Sequence, residues 1–478
     1  MIGPISRVKS RRLLLVAVIS IFSCAVCSAA NRTNSADSTS SSIPIAFVDI
    51  NLVSMNREEV VEHQTVLVER DRIIAIGPTA AVRVPPGARR IAGVGRYLMP
   101  GLIDMHVHFR RKPTDGDTAY SRMPDYRERN DDAGVLLVAN GITSVRVMHG
   151  HPLGDELTAR SRGDWLGPTI YSTGPITDGS PPVHPFNRVL TRPADAAKLV
   201  AEDKAKGYIG IKVYENLSLP VYDAIVDAAA TAQLDVVGHV PNEVGLAHVI
   251  AAHQATIEHA DSFLYSLQRD NPSPAAFADT TWHDAFQRVD LERLTTFADE
   301  IRRAGIWTCP TIITGQFDAP DYERSPEMQY VPAAFRAALH EHWTPEPFEE
   351  QRAFALAVVR RLHERGAGLL LGTDTYLTVP GFSALQELGL FVRAGLTPYE
   401  ALQTGTINAA RALHEQDMLG TVDVGKRADL LLLQGNPLAD VANVRKLVGV
   451  TLRGRWLPQS ELQTRLAAVA KSVSAPQM

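Results

Sequence analysis

Apolar and polar positions change rhythm twice along the chain. Over residues 43–99 the apolar residues come in short runs (IPIAFVDINLV, QTVLVERDRIIAIG, RRIAGVGRYLM), separated by Gly77-Pro78 and Pro85-Pro86-Gly87. Such runs between Gly/Pro punctuation predict a small, mostly antiparallel sheet region. The same signature returns in Ala428 to Leu433 and in Val448 to Trp456. Two β-rich segments flanking a long middle predict a composite β-sandwich built from both chain ends, residues 43–99 plus 416–460, with 461–478 left as a C-terminal tail.

Between them, over 100–415, short apolar strands alternate with helical stretches. Eight strand candidates are legible: Leu102–His108, Ile142–Met148, Thr169–Gly174, Ile209–Glu215, Asp235–Pro241, Ala255–Asp261, Ile306–Ile312 and Gly368–Thr375. Helical patterns such as Asp195–Lys206, Leu219–Gln233 and Leu291–Ala304 fill the gaps. Alternating strands and helices imply a parallel sheet. Eight units in this length predict an α/β chain folded as a (β/α)8 TIM barrel. A doubly wound open sheet is the alternative, weakened because no Gly-rich phosphate loop follows the first strand. Thr397-Pro398-Tyr399-Glu400 supplies a capping Thr and a Pro at the first helical position, so a helix is expected from there to about Leu413.

The first thirty residues differ from the rest. Arg7, Lys9, Arg11 and Arg12 precede an apolar run from Leu13 to Val26, and Ser28-Ala29-Ala30 offers small residues for cleavage. This pattern predicts a secretory signal peptide, residues 1–30, and hence a secreted or periplasmic protein with no membrane span once the signal is removed. Residues 31–42 are Ser-rich and polar, as a flexible linker is. Removing residues 1–30 takes four basic and no acidic residues, so the net charge of −5 becomes −9, and only Cys309 of the three Cys remains. An acidic chain without a basic face is not a general nucleic-acid binder. One thiol excludes an intrachain disulfide.

Candidate chemistry collects at the predicted strand ends. Alternation along the first strand puts His106 and His108 on one face, a pincer for a transition metal. Lys212 lies among apolar residues in the fourth strand, where an unpaired ammonium is costly; one reading is a carbamylated Lys212, another a Lys that reaches solvent or a carboxylate. His239 ends the fifth strand, His259 the sixth and Asp374 the eighth. Each alone is weak, but together they place metal-ligand chemistry at the mouth of one barrel.

The run Pro100-Gly101-Leu102-Ile103-Asp104-Met105-His106-Val107-His108 resembles the opening motif of the amidohydrolase superfamily. Gly372-Thr373-Asp374 and Gly425-Lys426-Arg427-Ala428-Asp429-Leu430 resemble further signatures of it. The likeness spans residues 45–456 and points to the imidazolonepropionase-like branch, which includes Xaa-Pro dipeptidase-like metal-dependent hydrolases. The resemblance implies two divalent ions, usually Zn2+. It assigns His106, His108 and Asp374 to the more buried ion and His239 and His259 to the more exposed one. N-carboxylated Lys212 and a hydroxide would bridge the two ions, with Asp374 moving the proton. The implied activity is hydrolysis of the amide bond in a dipeptide or N-acyl amino acid.

Substrate contacts are less defined. Tyr214 shares the inward face of Lys212 and is a candidate hydrogen-bond donor to an oxyanion or a substrate carboxylate. His149, His151 and His184 fall in predicted loops near the mouth, and Arg146 lies on the second strand; packing or a salt bridge is the simpler role for each. Gly179-Ser180-Pro181-Pro182-Val183-His184-Pro185 departs from the dipeptidase pattern and puts X-Pro specificity in doubt. A lactone, cyclic-amide or ester hydrolase fits the same ligand set, and a non-catalytic periplasmic metal or ligand binder is a third reading. Barrels of this kind often form homo-oligomers, but the sequence shows no specific interface.

Overall fold

A computed structural model describes residues 43–109, 130–150, 165–273, 276–277, 280–314, 324–332, 336, 348–375 and 378–474. The predicted signal peptide and linker lie outside them, as does His151. Among the described residues no helix is long and apolar enough to cross a membrane.

The two ends of the chain share one sheet. From the N-terminal side come β1 (Ile45–Leu52), β2 (Val61–Glu69), β3 (Arg72–Pro78), β4 (Arg89–Ala92) and β5 (Tyr97–Pro100). The middle of the chain contributes β6 (Leu102–Val107), β7 (Ile142–Val147), β8 (Thr169–Ser172), β9 (Thr177–Asp178), β10 (Arg188–Val189) and β11 (Gly210–Val213). It continues with β12 (Asp235–Gly238), β13 (Thr256–Glu258), β14 (Trp307–Cys309) and β15 (Gly368–Leu369). β16 (Leu430–Leu433), β17 (Leu447–Leu452) and β18 (Arg455–Pro458) return to the first group. The end sheet runs β18-β17-β16-β5-β1-β2-β3, with β4 beside β1. The ends meet where β16 pairs antiparallel with β5, Leu432 opposite Leu98.

This sheet is continuous rather than two separate layers, yet it folds back on itself. β18 and β1 are four strand spacings apart, about 19 Å in a flat sheet. The Phe47 and Trp456 rings are nonetheless 5.4 Å apart, edge to face. Curling closes an apolar cluster of Phe47, Val66, Ile73, Leu98, Leu432 and Trp456. The unbroken Leu run of β16 has the same cause. Leu430 and Leu432 face that cluster, whereas Leu431 and Leu433 join the large core of the middle region. A strand covered on both faces needs no polar positions.

The middle strands pair in parallel, as β6-β7-β8 and as β10-β9-β11-β12-β13-β14-β15. Backbone bonds link the groups on both sides: Ile209 N to Ser172 O at 2.9 Å, and Met105 N to Leu371 O at 2.8 Å. Helices occupy the connections. Glu292–Ala304 is typical, burying Leu294, Ala298 and Ile301 on one stripe. It begins with an acid, ends with Arg302 and Arg303, and stops at Gly305 in the left-handed region, φ 70°. The result is a TIM-barrel-like α/β fold with a separate sheet.

Two local expectations change. The helix capped by Thr397, with a full capping box to Glu400, runs only over Pro398–Thr404. A second helix, Ile407–Ala412, follows after Gly405. The break lets Gly405 O accept from Ile103 N at 2.7 Å and Thr404 O from Leu371 N at 3.1 Å, tying this turn to the barrel strands. The segment read as a C-terminal tail is helical over Gln459–Ser474, and Leu462 and Val469 are buried. Its apolar stripe is held at two places, Leu462 in the large core and Val469 in a smaller cluster with Leu136, Met328 and Val379.

Candidate metal centre

Alternation places polar side chains of several parallel strands on a shared face, and many of them are buried. Asp104, His106 and His108 descend from β6, Arg146 from β7, Lys212 and Tyr214 from β11, and Thr256 and Glu258 from β13. The hydrogen-bonded strands are shorter than the sequence pattern suggests. His108, His239 and His259 sit one residue beyond their strands, and Asp374 five residues beyond β15. His259 has φ 66° and Asp374 φ 44°, positive values that are uncommon for residues other than glycine. At His259 this matters. Alternation would send it to the face opposite Glu258, but the positive φ brings both into the centre.

The structure brings five of the six proposed metal ligands into a chain of contacts. His106 Nε2 and His108 Nε2 are 3.3 Å apart. Asp374 Oδ1 is 3.1 Å from His108 Nε2, and 3.9 Å from His106 Nε2. Asp374 Oδ2 is 4.0 Å from His259 Nδ1. The His239 and His259 rings meet at 4.6 Å, as do those of His106 and His259. Donor atoms of His106, His259 and Asp374 all lie within 4.8 Å of one another. The sixth, Lys212, is 1% exposed, and its Nζ has no hydrogen-bond partner among the described residues.

Burial sets the protonation states. It pushes His106 and His239 well below the ordinary imidazole value, and takes His259 to about 3 with the neighbouring His239 adding to the effect. Neutral imidazoles keep a lone pair for a metal. Burial also brings the Lys212 ammonium down to about 8, opposed by Glu258 and Asp374. Burial works to raise the Asp374 carboxyl, but its bond with His108 and the neighbouring histidines hold it well below the usual range. Closely spaced imidazole nitrogens, an ionised carboxylate and an orphaned amine fit a site for divalent ions with N and O ligands.

Around these groups stands a set of partners that the sequence pattern does not single out. His239 Nδ1 is 3.1 Å from Glu215 Oε1, and His259 Nδ1 is 2.8 Å from Thr311 Oγ1. His108 N donates to Thr375 Oγ1 at 2.8 Å. Asp104 accepts from Thr373 Oγ1 at 2.6 Å and from His106 N at 3.2 Å, and burial raises its carboxyl to about 7. Arg146 does make a salt bridge, to Glu258 at 2.6 Å. Cys309 forms a second trio with His106 and Glu258 within 4.8 Å, but burial pushes its thiol up, away from the thiolate that binds metal.

The candidate substrate residues divide. Tyr214 packs on His239 with ring centroids 4.1 Å apart, and His184 Nε2 is 3.2 Å from the Tyr214 hydroxyl. Burial holds the Tyr214 hydroxyl well above its usual value, so it remains a donor. His149 Nδ1 lies 3.2 Å from His108 Nδ1. A small pocket lies beside His259, lined also by Asp261, Thr311, Ile312, Arg352 and Phe354. In the connection that follows β13, Phe263 is in the core and Trp282 is exposed.

Glu387 holds the loop that carries Thr311. Its two oxygens accept from Ile312 N and Ile313 N, each at 2.8 Å. Burial raises its carboxyl from 4.5 to about 8. A folded-state value above the unfolded one gives stability that is complete below pH 4.5 and lost as pH rises through about 8. Glu387→Gln cannot ionise. The thermal midpoint of the wild type relative to this variant should therefore fall across that window; a difference that stays constant would refute a protonated Glu387.

Residues 97–457 match the amidohydrolase family. Imidazolonepropionase of Geobacillus sp. (strain WCH70) is 37% identical over 97 residues, 19% of this chain and 21% of that protein. The chain thus matches only about a fifth of that relative's length. Among solved structures, the bottromycin amidohydrolase superposes with a TM-score of 0.68 at 23% identity, covering 90% of both chains. A Xaa-Pro dipeptidase with bound methionine in its active site does so with a TM-score of 0.64 at 21% identity, covering 87% of this chain and all of that one. At these identities the superpositions speak for the fold. The family match covers most of the chain, including every strand that bears a proposed ligand: this protein belongs to the amidohydrolase family.

Proposed function

We propose that the protein is a metal-dependent hydrolase of carbon–nitrogen bonds, and specifically a binuclear amidohydrolase acting on a dipeptide or N-acyl amino acid. The observation that carries this reading is the convergence of neutral, buried His106, His239 and His259 with His108, ionised Asp374 and a buried Lys212 whose Nζ has no partner among the described residues. His106, His108 and Asp374 would hold the more buried ion, and His239 and His259 the more exposed one. N-carboxylated Lys212 would serve both, and zinc suits this mixture of imidazole and oxygen donors. An amine with a value near 8 has a neutral fraction at neutral pH that can take up carbon dioxide. Bound divalent ions would acidify water and polarise a carbonyl.

The chain's own residues then do the rest. Asp374 accepts the proton of the attacking water and delivers it to the leaving nitrogen. The Tyr214 hydroxyl donates to the developing oxyanion or to a substrate carboxylate, and His184 orients that hydroxyl. The domain division follows the same reading: a closed barrel over 100–415 and a sheet domain from 43–99 plus 416–460. The basic and apolar start of the chain supports export, which an N-terminus near residue 31 on the exported protein would test.

The deciding experiment is product release from a panel of dipeptides, X-Pro included, and N-acyl amino acids. The protein is loaded with zinc and bicarbonate, and Lys212→Ala is the control. Release by the wild type alone is expected. A protein carrying two metals that releases nothing would refute the amide reading and favour lactones, cyclic amides or esters. A protein that takes up no metal would overturn the site itself.

A further inference from the structure

Glu258 plays no part in the chemistry above, yet it is fully buried and its two oxygens serve different partners. Oε2 is 2.7 Å from His106 Nδ1. Oε1 accepts from Arg146 Nη2 at 2.6 Å and from the Thr256 hydroxyl. Arg146 is itself only 2% exposed; its Nε donates to Met105 O at 2.8 Å, and its Nη1 to Thr256 Oγ1 at 3.2 Å. Carboxylate, guanidinium and the backbone next to His106 therefore form one connected unit. Bringing such a pair out of water costs several kcal/mol per ion, so stability alone is a poor reason for it.

The other side of the His106 ring shows what the unit can do. His106 Nε2 lies 3.3 Å from His108 Nε2 and 3.9 Å from Asp374 Oδ1, on the side of the other proposed metal ligands. A neutral imidazole carries its one proton on either nitrogen, and a proton on Nε2 would hide the lone pair there. A carboxylate at Nδ1 fixes the choice, because it accepts the proton there. We propose that Glu258, held in place by Arg146 and Thr256, is a positioning residue that keeps the His106 proton on Nδ1 and so presents Nε2 as a metal ligand. The inference rests on the metal-centred reading above.

Glu258→Gln separates this role from a structural one. An amide must turn its NH2 either to His106, driving the ring proton to Nε2, or to Arg146, setting donor against donor. The metal-free and zinc-loaded proteins are compared by chelator competition and thermal melting. Zinc affinity is expected to fall about 10- to 100-fold. A folded variant with wild-type zinc affinity would overturn the proposal. Nitrogen NMR of histidine-labelled, metal-free wild type gives an independent answer, with His106→Gln identifying the signals. A proton on Nδ1 of His106 is expected, and one on Nε2 would overturn the proposal even if Glu258→Gln does not fold. Failure of the wild type to bind zinc at all would instead bring down the metal-centred reading, so the two failures are distinguishable.

Discussion

Asp374→Asn is expected to lower kcat by about 100- to 10,000-fold while leaving metal content close to the wild-type value. The substitution is nearly isosteric, and the backbone that sets the side-chain position is fixed elsewhere. Asp374 N donates to His106 O at 2.7 Å, and Thr373 N and Oγ1 are both held by Asp104. The amide keeps one oxygen in the place of Oδ1, next to His108 and His106. What it loses is the ability to accept a proton from water and return it to the leaving nitrogen. KM should change little, since the transfer proposed for Asp374 is made only in the transition state. Steady-state kinetics and metal analysis on the same sample read both quantities. Near-normal kcat in a metal-replete variant would remove Asp374 from proton transfer.

Lys212→Met is expected to be the most divided variant: inactive and metal-poor, yet at least as stable as the metal-free wild type. The Lys212 Nζ is buried without a partner among the described residues. Removing a polar group in that state relieves a cost of about 1–3 kcal/mol. Met fills a similar volume, and Glu258 keeps its salt bridge to Arg146. In the loaded protein the loss is of an oxygen ligand proposed to serve both ions. Metal content should drop, and kcat should fall by about 1,000-fold or more, in keeping with the cost of losing an ion that acidifies water. Metal analysis, thermal melting of the stripped protein and isotope-labelled bicarbonate with NMR test the three parts. A Lys212→Met protein that retains two ions and turnover would end the carboxylation proposal. One whose stripped form melts far below the wild type would show instead that the ammonium is structurally satisfied.

Both variants address residues that stand out in the sequence alone, and the reason is local. Ligands recur at the ends of successive parallel strands, and the side chains of His106 and His108, or Lys212 and Tyr214, share a face through the two-residue period. A short apolar run carrying such a residue advertises it. The alternation of strands and helices likewise points to the barrel, and the paired β-rich ends to the sheet region. Glu258 is not legible in the same way, because the two-residue period places it and His259 on opposite faces. Only the positive φ at His259 puts both inside. The partner of Arg146 is equally hidden, since Glu258 stands 112 positions away.

The sequence by itself determined the order of the elements and the residues proposed as ligands, because period, turn residues and strand-end positions are properties of neighbouring residues. The tertiary structure alone decided that the end sheet curls until Phe47 meets Trp456, that the helix after Thr397 breaks at Gly405, and which acid faces which imidazole. Those outcomes depend on how distant strands are staggered against one another and on which buried polar groups must find a partner once water is excluded, and neither is written in any one segment of the chain.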